Sequence, residues 1–439
     1  MAKLEARIAH ISDTHLGARF REGVKHNAWR VEMRSRLLEH DFYDQFEEVF
    51  TKIANLDPLP DIVVHAGDLY DSPWENNPSQ PPVVAQETAL SVMKKFTEDT
   101  GIPILIIEGN HGLYRTLDVS LLDSLEMSIP GLDVATQMDL KKAFANGEPL
   151  VHSYENVDVY CYPFLEYSVL EKSNNVANFN DWILTHQKPA SDRLSIAVAH
   201  GMTLDRSLYE QMFSLGYDYL ALGHDHHQRK YSDRAWYAGS TERWRFDEAK
   251  HEKGFLVVDL KSGEIPDVQP HQLEFSRPVY NERIRIEKDA TIESLIEHVE
   301  GWLVDNGIRG NWNPDTAARV RLVFEGKSTK LSSMELNMAM ETLRMRLLSQ
   351  DSGYNLVQLV WSIKQEDMEH VKAAYPEIQS EYLIEDPETD FKNYLGTLEI
   401  DESLDVDTLV AITVRALRTS VNPDKDKLVY DDLLEDGIE

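Results

Sequence analysis

The chain has very little cysteine and no long apolar run. Cys161 is the single cysteine among 439 residues, so no disulfide can form within the chain, and such scarcity is typical of a reducing compartment. No segment approaches the roughly 20 consecutive apolar residues that a membrane-spanning helix needs. The first residues, MAKLEARIAHIS, lack the apolar centre of a signal peptide. We therefore expect a cytoplasmic protein that does not associate with membranes.

Basic residues are also scarce. The chain has 44 lysines and arginines against 76 aspartates and glutamates, which gives a formal net charge of −32 at pH 7. A protein this acidic repels a polyanion at long range. If the substrate is a nucleic acid, its binding requires local basic patches, bound metal ions or a basic partner.

Up to about residue 275, short apolar runs alternate with segments of helical periodicity. The runs are rich in β-branched and aromatic residues and are bounded by turn residues, as strands are. We predict helices over 29–54 and 83–98, and strands over 7–11, 61–66, 103–107, 157–162, 194–199, 217–222, 235–238 and 254–259. This alternation predicts an α/β domain built from layers.

The length predicts two or three domains. Prolines interrupt the segment before residue 275, so we place the end of the first domain, 1–275, there. Residues 276–375 predict a small α/β domain, with strands at Tyr280–Ile286 and Ala318–Phe324 and helices at 290–306 and 331–349. Residues 376–439 predict a helical module with amphipathic stretches at 389–396 and 404–418 and an acidic tail.

Side chains that bind metals follow five of the predicted strands, at the point where each strand ends. The blocks read HISDTHLG, VVHAGDLYD, IIEGNHG, VAHGM and ALGHDHH. Their carboxylate, amide and imidazole ligands are Asp13, His15, Asp68, Asn110, His200, His224 and His226. Because the edge of a sheet collects the ends of several strands, we expect one sheet to bring all of these side chains to one rim.

The chemistry of these ligands predicts two divalent metal ions. Mixed oxygen and nitrogen ligands suit Mn²⁺, Fe²⁺ or Zn²⁺ better than Mg²⁺ or Ca²⁺, which prefer oxygen. Seven ligands exceed what one catalytic ion with an open position can use, whereas two ions that share a bridging carboxylate use them all. Two ions about 3.5–4 Å apart can clamp the oxygens of a phosphoryl group and activate a water molecule. The blocks therefore predict hydrolysis of a phosphate ester.

Each block taken alone has an ordinary explanation, since Asp-x-His arises by chance and a histidine after a strand is commonly structural. Five blocks in order, each at a strand end, make that explanation a poor one. Glycine, which lets backbone approach a crowded cluster, adjoins nearly every ligand, at Gly17, Gly67, Gly109, Gly112, Gly201 and Gly223.

The series of blocks resembles the calcineurin-like metallophosphoesterases over about the first 260 residues. More narrowly, it is similar to the SbcD-type nuclease subunit of a double-strand-break repair complex. That narrower likeness rests on Ser12–Gly17, on Gly223–His226, and on Ala238–Arg243 followed by Lys253–Phe255. The resemblance implies two mixed β-sheets flanked by helices, a small α/β cap that positions DNA, and a C-terminal helical module.

The resemblance also implies a role for each residue. The first ion would be held by Asp13, His15 and His226, and the second by Asn110, His200 and His224. The carboxylate of Asp68 would bridge the two ions. Mn²⁺ is the expected metal, with Fe²⁺ or Zn²⁺ as alternatives. His111 would act on the scissile phosphate or the leaving 3′ oxygen, as general acid or charge stabiliser.

Two positions depart from the family pattern. The superfamily has an acidic residue after the Asn-His pair that supports the histidine, whereas this chain has Gly112. The nuclease branch has a histidine soon after the bridging aspartate, where this chain has Asp71. We expect His111 to be oriented by another group, with Asp13 or a backbone carbonyl as candidates, and we consider Asp71 a candidate acid beside the ligands.

Arginines and aromatic residues flank the ligand blocks. The candidate DNA contacts are Arg19, Arg21, Arg243 and Arg245, with a solvated face as an equal alternative. For Trp236, Trp244 and Phe246 we favour core packing over stacking on bases.

These inferences combine into a Mn²⁺-dependent DNA phosphodiesterase with exonuclease and endonuclease activity, as part of an SbcCD-like assembly. The resemblance implies a homodimer and an SbcC-like ABC-type coiled-coil ATPase that binds Asp390–Leu395 and the helix around 404–418. Two alternatives stay open. One is an enzyme of the same fold that hydrolyses a small phosphoester or nucleotide, which the acidity favours, and the other is a metal-binding scaffold subunit with weak catalysis.

Overall fold

A computed structural model of the chain describes residues 4–18, 28–71, 81–111, 120–165, 170, 175–190, 192–201, 210–274, 277–349 and 352–364, without the side chains of 28–36. All of these residues belong to one compact unit, Met1–Gln365. Arg19, Arg21, Gly112 and the predicted module at 376–439 lie outside the described residues.

The strands of the described residues, in chain order, are β1 Glu5–Ile11, β2 Ile62–His65, β3 Ile104–Ile107, β4 Leu132–Ala135, β5 Val151–Ser153, β6 Val157–Tyr162, β7 Leu194–Ala199, β8 Tyr219–Leu222, β9 Arg229–Ser232, β10 Ala235–Tyr237, β11 Gly254–Lys261, β12 Asp267–Gln272, β13 Val279–Ile286, β14 Ala318–Gly326 and β15 Leu356–Lys364. The helices are α1 Ala28–Ala54, α2 Val83–Thr100, α3 Leu121–Glu126, α4 Gln137–Asn146, α5 Val176–His186, α6 Ile292–Asp305 and α7 Ser333–Leu347, with 3₁₀ turns at Glu210–Ser214 and Phe246–Lys250.

Local sequence explains where several helices begin and end. Capping boxes begin α3, α4, α6 and α7, because the side chain before each helix and the one at its third position bond each other's backbone. Gly101 and Gly147 end α2 and α4 in the left-handed conformation that favours glycine.

Two six-stranded mixed sheets form the larger part of this unit. The first sheet has the order β12-β11-β1-β2-β3-β4, and the second has the order β5-β6-β7-β8-β10-β9. In the first sheet β1, β2, β3 and β4 run parallel, and in the second sheet β6, β7, β8 and β10 run parallel. The carboxyl ends of the central strands of each sheet therefore share an edge.

The sheets pack face to face, with helices on both outer faces. Side chains alternate along a strand, so Ile104 and Ile106 of β3 pack with α1 and α2, while Leu105 and Ile107 enter the core between the sheets. Helices α4 and α5 cover the outer face of the second sheet through residues such as Trp182. Because both faces of each sheet are covered, the central strands read as continuous apolar runs.

A smaller α/β region, the cap, follows within the same compact unit. Strands β13, β14 and β15 form a three-stranded parallel sheet, and α6 and α7 pack against it in a core of its own. Arg277 joins this cap to the larger part, because its Nη1 donates to Ala317 O (2.8 Å) and its Nε and Nη2 donate to Asp41 of α1 (2.5 and 3.0 Å). Leu38 and Phe42 of α1 also share a small core with cap residues.

The predicted layered α/β fold, with two mixed sheets flanked by helices, is confirmed. Within the described residues, no helix has the length and apolar character needed to cross a bilayer.

Candidate metal centre

Five strand ends bring the predicted ligands to one rim. Residues Asp13 and His15 follow β1, Asp68 follows β2, Asn110 follows β3, His200 follows β7, and His224 and His226 follow β8. Backbone hydrogen bonds tie the loops together, since Asp13 N donates to Gly67 O and His15 N donates to Asp68 O, both at 3.0 Å. The expectation that one sheet supplies all the ligands is wrong, because β1, β2 and β3 belong to the first sheet and β7 and β8 to the second. The two sheets pack face to face, so both contribute to a single rim.

The ligand loops hold unusual backbone conformations. Within the part of the chain that the structure describes, the non-glycine residues with positive φ are Asp13 (51°), His15 (45°), Asp68 (55°) and His224 (85°), all of them predicted ligands. A non-glycine residue in such a conformation costs on the order of 1–3 kcal/mol, and such residues concentrate at functional sites. The rest of the fold must stabilise these loops.

Glycine is required where the loops touch. A Cβ on Gly109 would lie 2.0 Å from Asp68 Oδ1 and 2.4 Å from Asp68 N, and a Cβ on Gly67 would lie 2.3 Å from His200 Nδ1. Any larger residue at these positions would displace a predicted ligand.

One group of ligands consists of Asp13, His15 and His226, whose ligand atoms lie within 4.8 Å of one another. The two Nε2 atoms of His15 and His226 are 3.0 Å apart, and each lies 3.9 Å from Asp13 Oδ1. Asp13 is fully buried, and its Oδ2 accepts hydrogen bonds from Ser12 Oγ (2.5 Å) and from His224 N (3.0 Å). The loop of His224 thereby fixes a carboxylate of this group.

The second group consists of Asp68, Asn110, His200 and His224. Asn110 Oδ1 lies 2.9 Å from His200 Nε2 and 2.8 Å from His224 Nδ1, and Asp68 Oδ2 lies 3.2 Å from His200 Nε2. Asp68 Oδ2 is also 3.9 Å from His15 Nε2, so this carboxylate lies between the two groups. Burial alone would raise the pKa of Asp68, but the surrounding histidines lower it.

The orientation of the histidines tests whether the site fits metal ions. The Nδ1 of His200 lies 2.7 Å from Ala66 O and donates to it, so in the neutral form of the ring that a metal ion binds, Nε2 carries the lone pair. That lone pair faces two acceptor oxygens, those of Asn110 and Asp68. Likewise, His226 donates from Nδ1 to Glu248 Oε1 (3.0 Å), so its Nε2 lone pair faces His15. Lone pairs that converge in this way are the arrangement that a metal ion binds, so the donor set fits a metal ion in each group.

The electrostatics of His200 are consistent with this fit. Burial lowers the pKa of His200, but the negative charge of Asp68 and its hydrogen bond outweigh that effect and raise the pKa to about 9. Burial and the neighbouring histidines lower the pKa of His15 and of His224. Without a metal ion these acceptors favour a positively charged His200, whereas His15 and His224 stay neutral, so the second ligand group favours a positive charge.

His111 stands at the edge of the ligand groups and is held by Asp71. Its Nδ1 lies 2.7 Å from Asp71 Oδ1, and its backbone N donates to Asp68 Oδ1 at 2.8 Å. Burial lowers the pKa of His111, but the hydrogen bond and charge of Asp71, together with Asp68, raise it above the usual value. The expectation that Asp13 or a backbone carbonyl orients this ring is wrong, because the partner of Nδ1 is Asp71.

A third grouping overlaps the first, since His15, Asp71 and His111 also have ligand atoms within 4.8 Å of one another. His15 Nδ1 lies 3.9 Å from Asp71 Oδ1, however, whereas the hydrogen bond between Asp71 and His111 is 2.7 Å. These distances favour Asp71 as the hydrogen-bond partner of His111.

Sequence reasoning did not identify three residues beside the ligands as functional. Trp244 is half-buried, and its ring centroid lies 4.8 Å from that of His15, 5.5 Å from that of His111 and 5.9 Å from that of His226. Glu248 and Lys253 form a buried ion pair behind His226. No spacing rule singles out these positions, although Lys253 belongs to the segment that carried the family resemblance.

The cap contacts the loop that carries Trp244. Arg319 of β14 is buried and donates to Arg243 O (2.7 Å) and Trp244 O (2.8 Å), while its Cζ lies 5.0 Å from the ring centroid of Phe246. Trp244 also packs with the small core shared by α1 and the cap, as core packing predicts. Of the candidate DNA contacts, Arg243 is half-buried, whereas Arg245 is exposed with its Cζ 5.5 Å from the Trp244 ring centroid.

Two helix-flanked mixed sheets with a rim of carboxylate, amide and imidazole ligands define a metal-dependent phosphoester hydrolase. The family model for calcineurin-like phosphoesterases matches residues 6–228, and the chain belongs to that family. The resemblance predicted from the strand-end blocks is thereby confirmed.

Two relatives named DNA double-strand break repair protein Mre11 are similar to the chain. The protein from Methanococcus maripaludis is 28% identical over 302 residues, which cover 66% of this chain and 73% of the relative. The protein from Methanocaldococcus jannaschii is 29% identical over 285 residues, which cover 60% of this chain and 66% of the relative.

Proposed function

We propose that the protein is a DNA nuclease that uses two divalent metal ions to hydrolyse phosphodiester bonds. The observation that supports this best is the pair of neighbouring ligand groups. Asp68 lies between the two groups, and His111 lies at their edge. The similarity to two Mre11 proteins supports DNA as the substrate class.

In this proposal each group of ligands holds one ion, and Asp68 contributes to both. Asp13, His15 and His226 would hold the first ion, and Asn110, His200 and His224 would hold the second. When bound, the ions supply Lewis-acid charge to the phosphate and lower the pKa of an attacking water molecule. Mixed nitrogen and oxygen ligands favour Mn²⁺, with Fe²⁺ or Zn²⁺ as alternatives.

His111 would be the catalytic residue that is not a metal ligand. Asp71 accepts a hydrogen bond from His111 Nδ1–H. This bond fixes the tautomer of the ring and leaves Nε2 free to act on the substrate. From this position His111 stabilises the charge of the phosphate or transfers a proton to the leaving 3′ oxygen. Asp71 thus supplies the support that the family usually takes from the residue after the Asn-His pair.

Attraction of DNA needs local positive charge, because the whole chain carries −32. Two divalent ions bring about four positive charges to the rim. Arg245 is exposed beside the site and adds to this field, and Arg243, Arg19 and Arg21 complete the proposed set of contacts. The cap, 276–375, would position DNA, and its Arg319 holds the loop that carries Arg243 and Trp244.

We also propose an assembly for the chain. The module at 376–439 would bind an SbcC-like ABC-type coiled-coil ATPase, and two nuclease chains would pair as a homodimer in an SbcCD-like complex in the cytoplasm. The sequence pattern of Asp390–Leu395 and of the stretch around 404–418 predicts amphipathic helices, and the apolar face of such a helix commonly binds a partner.

A comparison of substrates tests the nuclease proposal. The full chain with Mn²⁺ is assayed, with and without its ATPase, on linear duplex DNA, on closed plasmid and on a small chromogenic phosphodiester. Faster turnover of DNA than of the small diester supports the proposal. Turnover confined to the small diester favours the alternative of a small-phosphoester hydrolase, which the net charge of −32 supports. No cleavage of any substrate with the ATPase present favours the scaffold alternative.

A further inference from the structure

Behind the first ligand group lies a buried ion pair, Glu248 and Lys253. Lys253 is fully buried and Glu248 is 4% exposed, with the Lys253 Nζ 2.6 Å from Glu248 Oε2. Taking two charges out of water costs several kcal/mol per ion, and such a pair persists only when nearly all of its hydrogen-bonding capacity is used. The pair therefore calls for a functional explanation.

The contacts of both side chains are complete. The ammonium of Lys253 donates three hydrogen bonds, to Glu248 Oε2 (2.6 Å), to Ser240 Oγ (2.7 Å) and to His226 O (2.8 Å). Glu248 accepts on Oε1 from His226 Nδ1 (3.0 Å) and from Arg245 N (3.3 Å), and on Oε2 also from Trp244 N (3.3 Å). Burial would raise the pKa of Glu248, but the bond to His226 and the charge of Lys253 lower it to about 2.

His226 is thus held at two points by the pair. The carboxylate of Glu248 accepts from Nδ1, which fixes the tautomer that leaves a lone pair on Nε2. Lys253 holds the backbone carbonyl of the same residue. A carboxylate behind a ligand histidine also makes the ring a stronger base, and loss of such a partner typically costs 10–100-fold in metal affinity or activity.

The second ligand group is supported differently. There the histidine nitrogen away from the site donates to a neutral acceptor, since His200 Nδ1 lies 2.7 Å from Ala66 O. Ionic support from a buried carboxylate and ammonium is therefore found at His226 and not at His200.

We propose that Glu248 and Lys253 are positioning residues that raise the affinity of the ion held by Asp13, His15 and His226, and leave the other ion largely unaffected. This inference rests on the two-ion function proposed above. The two sites would therefore differ in metal affinity. The residues that set this difference would contact neither the substrate nor the ions.

The test is a calorimetric titration of the metal-free full chain with Mn²⁺, together with the electron paramagnetic resonance spectrum at each step. The variants are Glu248→Gln, Glu248→Gln with Lys253→Met, and the control Glu252→Gln, which removes one exposed charge from the same segment. The double variant avoids an unpaired buried ammonium, so it separates loss of folding from loss of positioning.

We expect wild type and Glu252→Gln to bind two equivalents of Mn²⁺ with spin coupling. In Glu248→Gln and in the double variant, the affinity for one equivalent of Mn²⁺ should fall by about 10–100-fold. The affinity for the other equivalent should fall by less than about threefold. The unfolding temperature of the metal-free double variant should exceed that of Glu248→Gln. Equal weakening of both equivalents, unchanged affinity, or recovery of affinity in the double variant would overturn the inference alone. Binding of a single equivalent by wild type would overturn the two-ion function itself, and the inference with it.

Discussion

The hydrogen bond between Asp71 and His111 makes a strong prediction about catalysis. Asp71→Asn removes the charge of the acceptor and leaves its size almost unchanged. The bond joins Nδ1 and Oδ1 at 2.7 Å and is largely buried, so it belongs to the stronger class of about 1.5–3 kcal/mol. If that energy is realised in the transition state, kcat should fall by roughly 10–150-fold, since about 1.4 kcal/mol corresponds to a factor of ten.

The assay is a double-mutant cycle on linear duplex DNA at saturating Mn²⁺. His111→Gln alone should lower kcat by about 10²–10⁴-fold, the usual contribution of a general acid. If Asp71 acts through His111, adding Asp71→Asn to that variant should cost less than about threefold. Asp158→Asn, which removes a buried carboxylate paired with Arg193 elsewhere, is the control and should leave kcat unchanged.

Two results would refute this reasoning. The first is a fall in the number or affinity of bound Mn²⁺ ions in Asp71→Asn, because it would make Asp71 a ligand together with His15. The second is an equal fold loss from Asp71→Asn with and without His111, because the two residues would then act independently.

Three further predictions concern the scaffold. Gly109→Ala places a Cβ 2.0 Å from Asp68 Oδ1, so it should lower the free energy of unfolding by about 1–3 kcal/mol and weaken Mn²⁺ binding. The control Gly301→Ala in α6 places a Cβ with no atom within 4 Å, and it should stabilise the fold slightly. Similar urea unfolding midpoints for the two variants would contradict this prediction. Arg319→Met removes the hydrogen bonds to the carbonyls of Arg243 and Trp244, so KM for duplex DNA should rise several-fold while Mn²⁺ stoichiometry stays intact. An unchanged KM would show that Arg319 does not position this loop for DNA. Burial, and then the charge of His65, lower the pKa of His10 from 6.5 to about 3, so the folded state binds fewer protons there and stability falls as pH drops from about 6.5 towards 3. In chelator, His10→Gln should reduce that slope by about 1.4 kcal/mol per pH unit, and equal slopes would exclude His10 as the cause.

The sequence predicted the central strands well because burial on both faces leaves uninterrupted apolar runs. Strands β3 and β7 lie within one residue of their predicted bounds. Strand β12 was not predicted, since it contains Pro270 and is mostly exposed, and its place depends on pairing with β11. Strand β15 was also missed, although Leu356–Leu359 are buried, because its parallel partner β14 lies some distance away in the chain.

The strand-end residues of the site could be predicted from local patterns, and the residues that support them could not. Each ligand follows its own apolar run, so one sequence window contains the signal. The contacts of His111 with Asp71 and of His226 with Glu248 join residues 40 and 22 positions apart, and only the folded loops bring them together. The same holds for Arg319, which reaches Arg243 O across 76 positions.

We propose that two metal ions held at one rim of the protein enable the cleavage of DNA. The most direct measurement follows cleavage of linear duplex DNA by the full chain while Mn²⁺ is added in known equivalents to the metal-free protein. We predict little cleavage at one equivalent, a steep rise as the second binds, and loss of cleavage in His111→Gln with both equivalents still bound. Full cleavage at one equivalent, or loss of metal together with activity in His111→Gln, would contradict the account.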